Sequence, residues 1–92
     1  MSKSDIALLQ KLRGLIDKID DFILYALSER FQAIELLREL KQAKDMRIAD
    51  PRRERELKAR WKKRAKELKV PEALALLMLD FILVESKRMQ ES

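Results

Sequence analysis

Apolar residues recur every three or four positions through the first half of the chain. The members of this stripe are Leu12, Ile16, Ile19, Ile23, Ala26, Ala33 and Leu37. Such spacing is typical of the buried seam of a long amphipathic helix. Ser4 is a good N-cap for it, with Asp5 in the first turn, and nothing breaks the pattern before positions 45–49. The sequence therefore predicts one helix about 60 Å long, at roughly 1.5 Å per residue.

A helix of that length is too long for the core of a compact monomer of 92 residues. Its apolar face needs a cover that one small chain does not supply. A partner chain is the simplest cover, so we expect an oligomer.

Two shorter helices are predicted to follow. Asp50 and Pro51 form a helix start, because Asp caps the first amides and Pro fits the first helical position. This second helix runs to about Lys69, and Pro71 starts a third that runs to about Gln90. The apolar face predicted for the third helix consists of Leu74, Leu77, Met78, Phe81 and Ile82. Strand signals are missing, so the expected fold is all-α, with one long and two shorter helices in a single domain.

A cation interrupts the seam of the first helix. Arg30 lies in the apolar stripe between Ala26 and Ala33, and a guanidinium that faces a core needs a strong anionic partner. Lys41 follows 11 positions later, which places it about 20° away around the helix. Two cations on one inward face predict a pocket for a small anion.

Composition narrows the chemistry of such a pocket. The chain has no His and no Cys, which excludes Ser-His and Cys-His nucleophilic catalysis, imidazole or thiolate metal sites, and disulfides. The remaining polar side chains act by positioning and electrostatics. No signal peptide and no apolar run of membrane-spanning length is visible, so we expect a cytoplasmic protein.

The surplus of positive charge leaves one alternative function open. The net charge is +5, and most of the surplus falls between Arg47 and Lys69. A basic helical dimer that binds nucleic acid would use that region. The chain has one Trp and one Tyr, shows no DNA-binding motif, and places glutamates among the basic residues, so the sequence offers this reading little support. We therefore expect neither nucleic acid nor a membrane as a partner.

Five pieces of sequence between Leu9 and Gln90 together resemble a known family. They are L-R-G-L-I-D-K-I-D from Leu12, A-L-S-E-R ending at Arg30, Lys41 alone, D-P-R-R-E-R-E from Asp50, and V-E-S-K-R-M-Q ending at Gln90. In order and spacing they are similar to the all-helical (AroQ) class of chorismate mutases. The resemblance implies an intertwined homodimer that rearranges chorismate to prephenate in phenylalanine and tyrosine biosynthesis. This pericyclic reaction needs no cofactor and no metal.

The resemblance also implies which residues bind the two carboxylates of chorismate. Arg30 would bind one and Arg13 of the opposite chain the other, while Ser86 would contact a carboxylate. Arg13 precedes Arg30 by 17 positions, so the two lie about 100° apart around a straight helix. They cannot comfortably share one pocket on the same chain, which agrees with a contribution of Arg13 in trans.

The remaining roles concern the ether oxygen and the ring hydroxyl of chorismate. By the same resemblance, Lys41 and Gln90 would donate to the ether oxygen, where negative charge develops. Glu54 would accept from the ring hydroxyl, with Arg53 and the Asp50 region alongside. Gln90 does not titrate, so we expect no loss of activity between pH 5 and 8 from that group.

Two alternatives within the same fold remain. An isochorismate-pyruvate lyase would share the helices and the cationic residues, but Glu54 suits a hydroxyl at the position found in the mutase substrate. A catalytically inactive helical dimer would keep the fold alone.

Overall fold

Three α-helices account for most of the described chain. The structure, a computed structural model, describes residues 1–45 and 50–91. Its helices are α1 (Lys3–Ala43), α2 (Pro51–Glu67) and α3 (Glu72–Glu91), and no strand occurs within the described ranges. The prediction of an all-α chain with one long and two shorter helices is confirmed.

The chain divides into two units, Met1–Ala33 and Ile34–Ser92, and α1 contributes residues to both. The break predicted at 45–49 falls largely on residues 46–49, which lie outside the described part of the chain, as does Ser92. No helix within the described ranges is both long enough and apolar enough to cross a bilayer.

The N-cap of α1 is Ser2, so the prediction of Ser4 as the cap is wrong. The Ser2 hydroxyl accepts a hydrogen bond from the Asp5 backbone N–H at 3.1 Å, and the Asp5 carboxylate accepts from the Ser2 N–H at 3.2 Å. This reciprocal arrangement is a capping box. The third residue after Ser4 is Ala7, whose side chain has no acceptor for the return bond, and this explains why Ser2 is the better cap.

The apolar seam of α1 is not covered within the described chain. No residue of Lys3–Ala43, all of which the structure describes, is buried. Leu12 and Ile23, two members of the predicted stripe, are 49% and 45% exposed. Isolated apolar side chains are common on protein surfaces, but a row of them at helical spacing indicates an interaction face.

The start of α2 is as predicted. The Asp50 carboxylate accepts a hydrogen bond from the Arg53 backbone N–H at 3.1 Å, and Pro51 is the first helical residue. The side chain of Asp50 thus satisfies one of the amides that a helix start leaves without a partner, while Pro51 has no amide hydrogen to satisfy.

A non-glycine residue in the left-handed region ends α2. Lys69 has a φ of 58°, its N–H donates to the Lys66 carbonyl, and the Val70 N–H donates to the Ala65 carbonyl at 2.8 Å. These bonds form a Schellman motif, a helix ending in which glycine is the usual left-handed residue. The helix therefore ends two residues before the predicted Lys69, since Lys69 itself turns the chain toward α3.

The core of the Ile34–Ser92 unit lies where α2 packs against α3. Its buried apolar residues are Ala65 from α2 and Ala75, Leu79 and Ile82 from α3. Small side chains such as those of Ala65 and Ala75 let two packed helix backbones approach closely, and Leu79 is fully buried.

The apolar face predicted for α3 is wrong in all but one residue. Ile82 is buried, but Leu74, Leu77, Met78 and Phe81 stay exposed. The buried residues of α3 instead form the row Ala75, Leu79, Ile82, Ser86 and Gln90. Most positions between 73 and 84 are apolar, so periodicity alone does not decide which face packs against α2.

Candidate active site

Two polar residues complete the buried row of α3. Ser86 and Gln90 lie one helical turn apart and are only 3% and 6% exposed. Buried polar side chains need hydrogen-bond partners, because an unsatisfied group loses its hydration without compensation. All the buried side-chain nitrogen and oxygen atoms among the described residues have such partners.

The side-chain amide of Gln90 joins α1 to α3. The Lys41 ammonium donates to Gln90 Oε1 at 3.1 Å, and Gln90 Nε2 donates to the Ser86 backbone carbonyl at 3.3 Å. An ammonium group only donates and a carbonyl only accepts, so these two contacts fix which way the amide points. The amide nitrogen carries two hydrogens, and the contact with the carbonyl uses one of them.

The position of Lys41 at the end of α1 favours its positive charge beside Gln90. Lys41 lies in the last turn of α1, where the helix dipole favours a positive charge, and it is half-buried. The inward direction predicted for Lys41 therefore agrees with its contact with Gln90. Together these residues place an ammonium and a primary amide side by side.

The hydroxyl of Ser86 is turned toward its own helix. Ser86 Oγ donates to the Ile82 carbonyl at 2.7 Å, a bond that Ser commonly makes to the preceding turn. In this orientation the hydroxyl proton is held by the backbone. To donate to a carboxylate, as the sequence predicts, the hydroxyl has to rotate away from Ile82.

Glu54 lies at the start of α2 and faces α3. It occupies the first turn of the helix, where the dipole favours a negative charge. Its Oε1 is 2.5 Å from the Lys87 ammonium, and the side chains of Glu54 and Lys87 are 27% and 47% exposed. Lys87 directly follows Ser86, so Glu54 is joined to the same turn of α3 that carries the buried polar pair.

Sequence reasoning did not single out Lys87. Lys87 lies within the V-E-S-K-R-M-Q segment that resembles the family, but neither that segment nor the helical pattern assigned it a role. Its contact depends on how α2 packs against α3, which is a tertiary feature. Only the structure identifies it.

Asp50 and Arg53 have local contacts at the same helix start. Asp50 caps the Arg53 amide, and the Arg53 side chain is exposed, with Nη1 3.7 Å from a carboxylate oxygen of Glu56. The cap fixes the first turn of α2 and with it the position of Glu54.

Arg13 and Arg30 belong to the other unit, Met1–Ala33. Both lie on α1, where Arg30 is half-buried and Arg13 is exposed. Among the predicted site residues of the Ile34–Ser92 unit, Gln90 contacts both Lys41 and Ser86, and Asp50 contacts Arg53.

A sequence model of chorismate mutase type II matches residues 12–91. The chain belongs to the chorismate mutase type II family. The resemblance found in the five sequence segments is thereby confirmed. Comparison with curated proteins and with solved structures gives no match.

The segment that matches the chorismate mutase type II family contains all eight predicted site residues. In this family member, Lys41 and Gln90 supply nitrogen donors, and Glu54 supplies a carboxylate at the adjacent helix start. Such a set can hold a polar substrate and stabilise negative charge at one atom. Within residues 1–45 and 50–91, no group of His, Cys, Asp and Glu side chains is placed to hold a metal ion.

Proposed function

We propose that this family member is a chorismate mutase, which converts chorismate to prephenate. The observation that carries the proposal is the 3.1 Å hydrogen bond between Lys41 and Gln90, two residues that lie within the family match. The reaction breaks the ether C–O bond and forms a C–C bond within one molecule. It requires a surface that binds the compact conformer and stabilises the charge of the transition state.

Lys41 and Gln90 are the groups we assign to the ether oxygen. The Lys41 ammonium has three hydrogens, one of which is directed at Gln90 Oε1, and the Gln90 amide has a second hydrogen beyond the one given to Ser86. Both side chains thus carry nitrogen donors of the kind that an oxygen with growing negative charge requires. Because negative charge grows on that oxygen as the C–O bond breaks, the two donors bind the transition state more tightly than the substrate.

Glu54 is the group we assign to the ring hydroxyl. A carboxylate has two oxygen atoms that each accept hydrogen bonds. The structure pairs Oε1 with Lys87, so the hydroxyl would donate to Oε2. The capping bond, which the Arg53 backbone N–H donates to the Asp50 carboxylate, keeps the first turn of α2 and thus Glu54 in place.

We assign the carboxylates of chorismate to Arg30, to Arg13 of the second chain and to Ser86. Guanidinium groups suit this task because they donate two parallel hydrogen bonds to one carboxylate. The half-buried position of Arg30 supports its assignment, since partial burial strengthens such a charged contact.

The dimer is part of the proposal because α1 lacks a cover. Its apolar row is exposed, and no residue of Lys3–Ala43, a fully described segment, is buried. A second copy of the chain offers an equivalent apolar row, and a self-complementary surface is what a two-fold dimer requires. The same pairing would bring Arg13 of one chain to the site of the other.

An assay with two substrates tests the proposed reaction. We expect the purified protein to consume chorismate and release prephenate, and to form no salicylate from isochorismate. Lys41→Met should lower kcat by at least about a hundredfold, the usual loss when a donor to developing charge is removed. Lys44→Met, which changes an exposed lysine three residues further on, serves as the control and should keep full activity.

The outcomes separate the candidate functions. Salicylate formation without turnover of chorismate would assign the protein to the isochorismate-pyruvate lyases. Turnover of neither substrate by a folded, helical sample would contradict both enzyme assignments.

A further inference from the structure

We propose that Lys87 is a positioning residue that holds the Glu54 carboxylate in place for the ring hydroxyl of the substrate. The inference rests on the proposed function. It adds a residue to the site that the sequence pattern did not single out.

The contact is close and partly shielded from solvent. Lys87 Nζ lies 2.5 Å from Glu54 Oε1, and the side chain of Glu54 is about three-quarters covered. Partly buried ion pairs are screened less by water and salt than fully exposed ones. The pair therefore restricts the Glu54 side chain, which would otherwise lose rotamer freedom when it binds the substrate.

The pair also decides which carboxylate oxygen meets the substrate. Lys87 engages Oε1 and so takes up acceptor capacity on that oxygen, whereas its ammonium does not occupy the acceptor sites of Oε2. We therefore assign the hydroxyl to Oε2. Lys87 acts through Glu54 and has no need to touch the substrate.

The helical geometry of α3 directs Lys87 toward Glu54, away from the buried row. Successive residues of a helix lie about 100° apart, so Ser86 and Lys87 point in different directions from one turn. Ser86 and Gln90 form the buried pair that is joined to Lys41, while Lys87 reaches the start of α2. A single turn of α3 thus organises both the ether-oxygen donors and the hydroxyl acceptor.

A second ion pair between α2 and α3 provides a matched control. Lys62 Nζ lies 3.7 Å from Glu72 Oε1, near the opposite ends of these helices from the Lys87 pair. Both pairs join the same two helices. If Lys87 only ties the helices together, removing Lys62 should have a comparable effect on activity.

The test is a double-mutant cycle on kcat and KM for chorismate. We expect Lys87→Met to lower kcat/KM about tenfold, which is the lower end of the losses seen when a group that orients a metal ligand through a hydrogen bond is removed. Most of the change should appear in KM, because the hydroxyl contact is present in both the bound substrate and the transition state. Lys87→Arg should retain most of the activity, since it keeps the positive charge.

The variant Glu54→Gln reveals whether Lys87 acts through Glu54. In that background, Lys87→Met should change kcat/KM by less than about twofold, the usual error of additivity. Lys62→Met should leave kcat and KM unchanged, and both single lysine variants should melt close to the wild-type temperature.

Three results would overturn the inference. Additive losses in the double variant would show that Lys87 acts independently of Glu54. An equal loss of kcat/KM in Lys62→Met would show that Lys87 only stabilises the packing of α2 against α3. A wild-type chain that does not turn over chorismate would remove the proposed function and this inference with it, and that outcome is distinct from the first two.

Discussion

Gln90 is the residue whose environment is most fully defined. Its amide oxygen accepts a hydrogen bond from the Lys41 ammonium, and its amide nitrogen donates one to the Ser86 carbonyl. Because both contacts have fixed donor and acceptor roles, the amide cannot flip without losing both. Gln90 lies in the last turn of α3, where helices tend to fray, but it is buried.

The neutral amide predicts how activity depends on pH. The chain has no His, and Gln90 does not titrate, so kcat/KM of the wild type should stay nearly constant between pH 5 and 8. Gln90→Glu should behave differently. A glutamate with an ordinary pKa of about 4.3 is ionised at neutral pH and cannot donate to the ether oxygen, so activity of the variant should fall as the pH rises.

Rate measurements across that pH range check this prediction. Gln32→Glu, a change at an exposed glutamine of α1, is the control and should keep the flat wild-type profile. A wild-type profile that drops steeply between pH 5 and 8 would contradict the assignment of Gln90.

At the scale of the helices, the turn after α2 contains a correctable strain. Lys69 has a φ of 58°, a conformation that costs a residue with a side chain roughly 1–2 kcal/mol. Lys69→Gly should therefore stabilise the protein by about 0.5–1 kcal/mol, after allowance for the greater freedom of glycine in the unfolded chain.

Thermal unfolding at one protein concentration measures the effect. Lys69→Gly should raise Tm by a few degrees, whereas Lys63→Gly, in the interior of α2, should lower it because glycine costs a helix about 1 kcal/mol relative to a good helix former. A fall in Tm for Lys69→Gly would show that the side chain of Lys69 contributes more than its backbone strain costs.

The helices themselves were predictable because their signals are local. Asp50 and Pro51 predicted the start of α2 correctly, since a cap and a proline act on the residues next to them. The cap of α1 was misplaced because Ser2 and Ser4 are both plausible caps, and the return bond that the Ser2 N–H donates to the Asp5 carboxylate decides between them.

Packing was less predictable than helix formation. The buried face of α3 depends on which of its many apolar residues pack against α2. Ala75 and Leu79 are buried and Phe81 is exposed because of how the surfaces of the two helices fit together. For the same reason, the contact of Lys41 with Gln90 was anticipated only through the family resemblance. The contact of Lys87 with Glu54 was not predicted.

For the whole molecule, the proposal requires that two chains share each site. The exposed apolar row of α1 needs a partner surface, and the residues assigned to one substrate include Arg13 of the second chain. If two chains share each site, two inactive variants should regain activity when they form mixed dimers. A monomer, or a dimer whose sites each use one chain, would not regain it.

Mixed dimers test the shared site. Arg13→Ala and Lys41→Met should each be nearly inactive alone. When the two chains are refolded together, half of the dimers are mixed, and each mixed dimer has one intact site, so about one quarter of wild-type activity should return.

The control is each variant refolded by itself, which should stay inactive. If the mixture also stays inactive although it contains mixed dimers, then Arg13 acts within its own chain. If the protein runs as a monomer by size-exclusion chromatography, the proposed dimer is wrong.

The most direct test of the central claim is the rate of chorismate loss, measured by absorbance, for the wild type and for Arg30→Ala. We expect rapid conversion to prephenate by the wild type. Arg30→Ala should lose at least about a hundredfold in kcat/KM, as expected when a charged group that binds the substrate is removed, while its circular dichroism remains helical. Near-normal turnover by Arg30→Ala would contradict the account, because the cation that interrupts the apolar stripe of α1 would then have no part in the reaction.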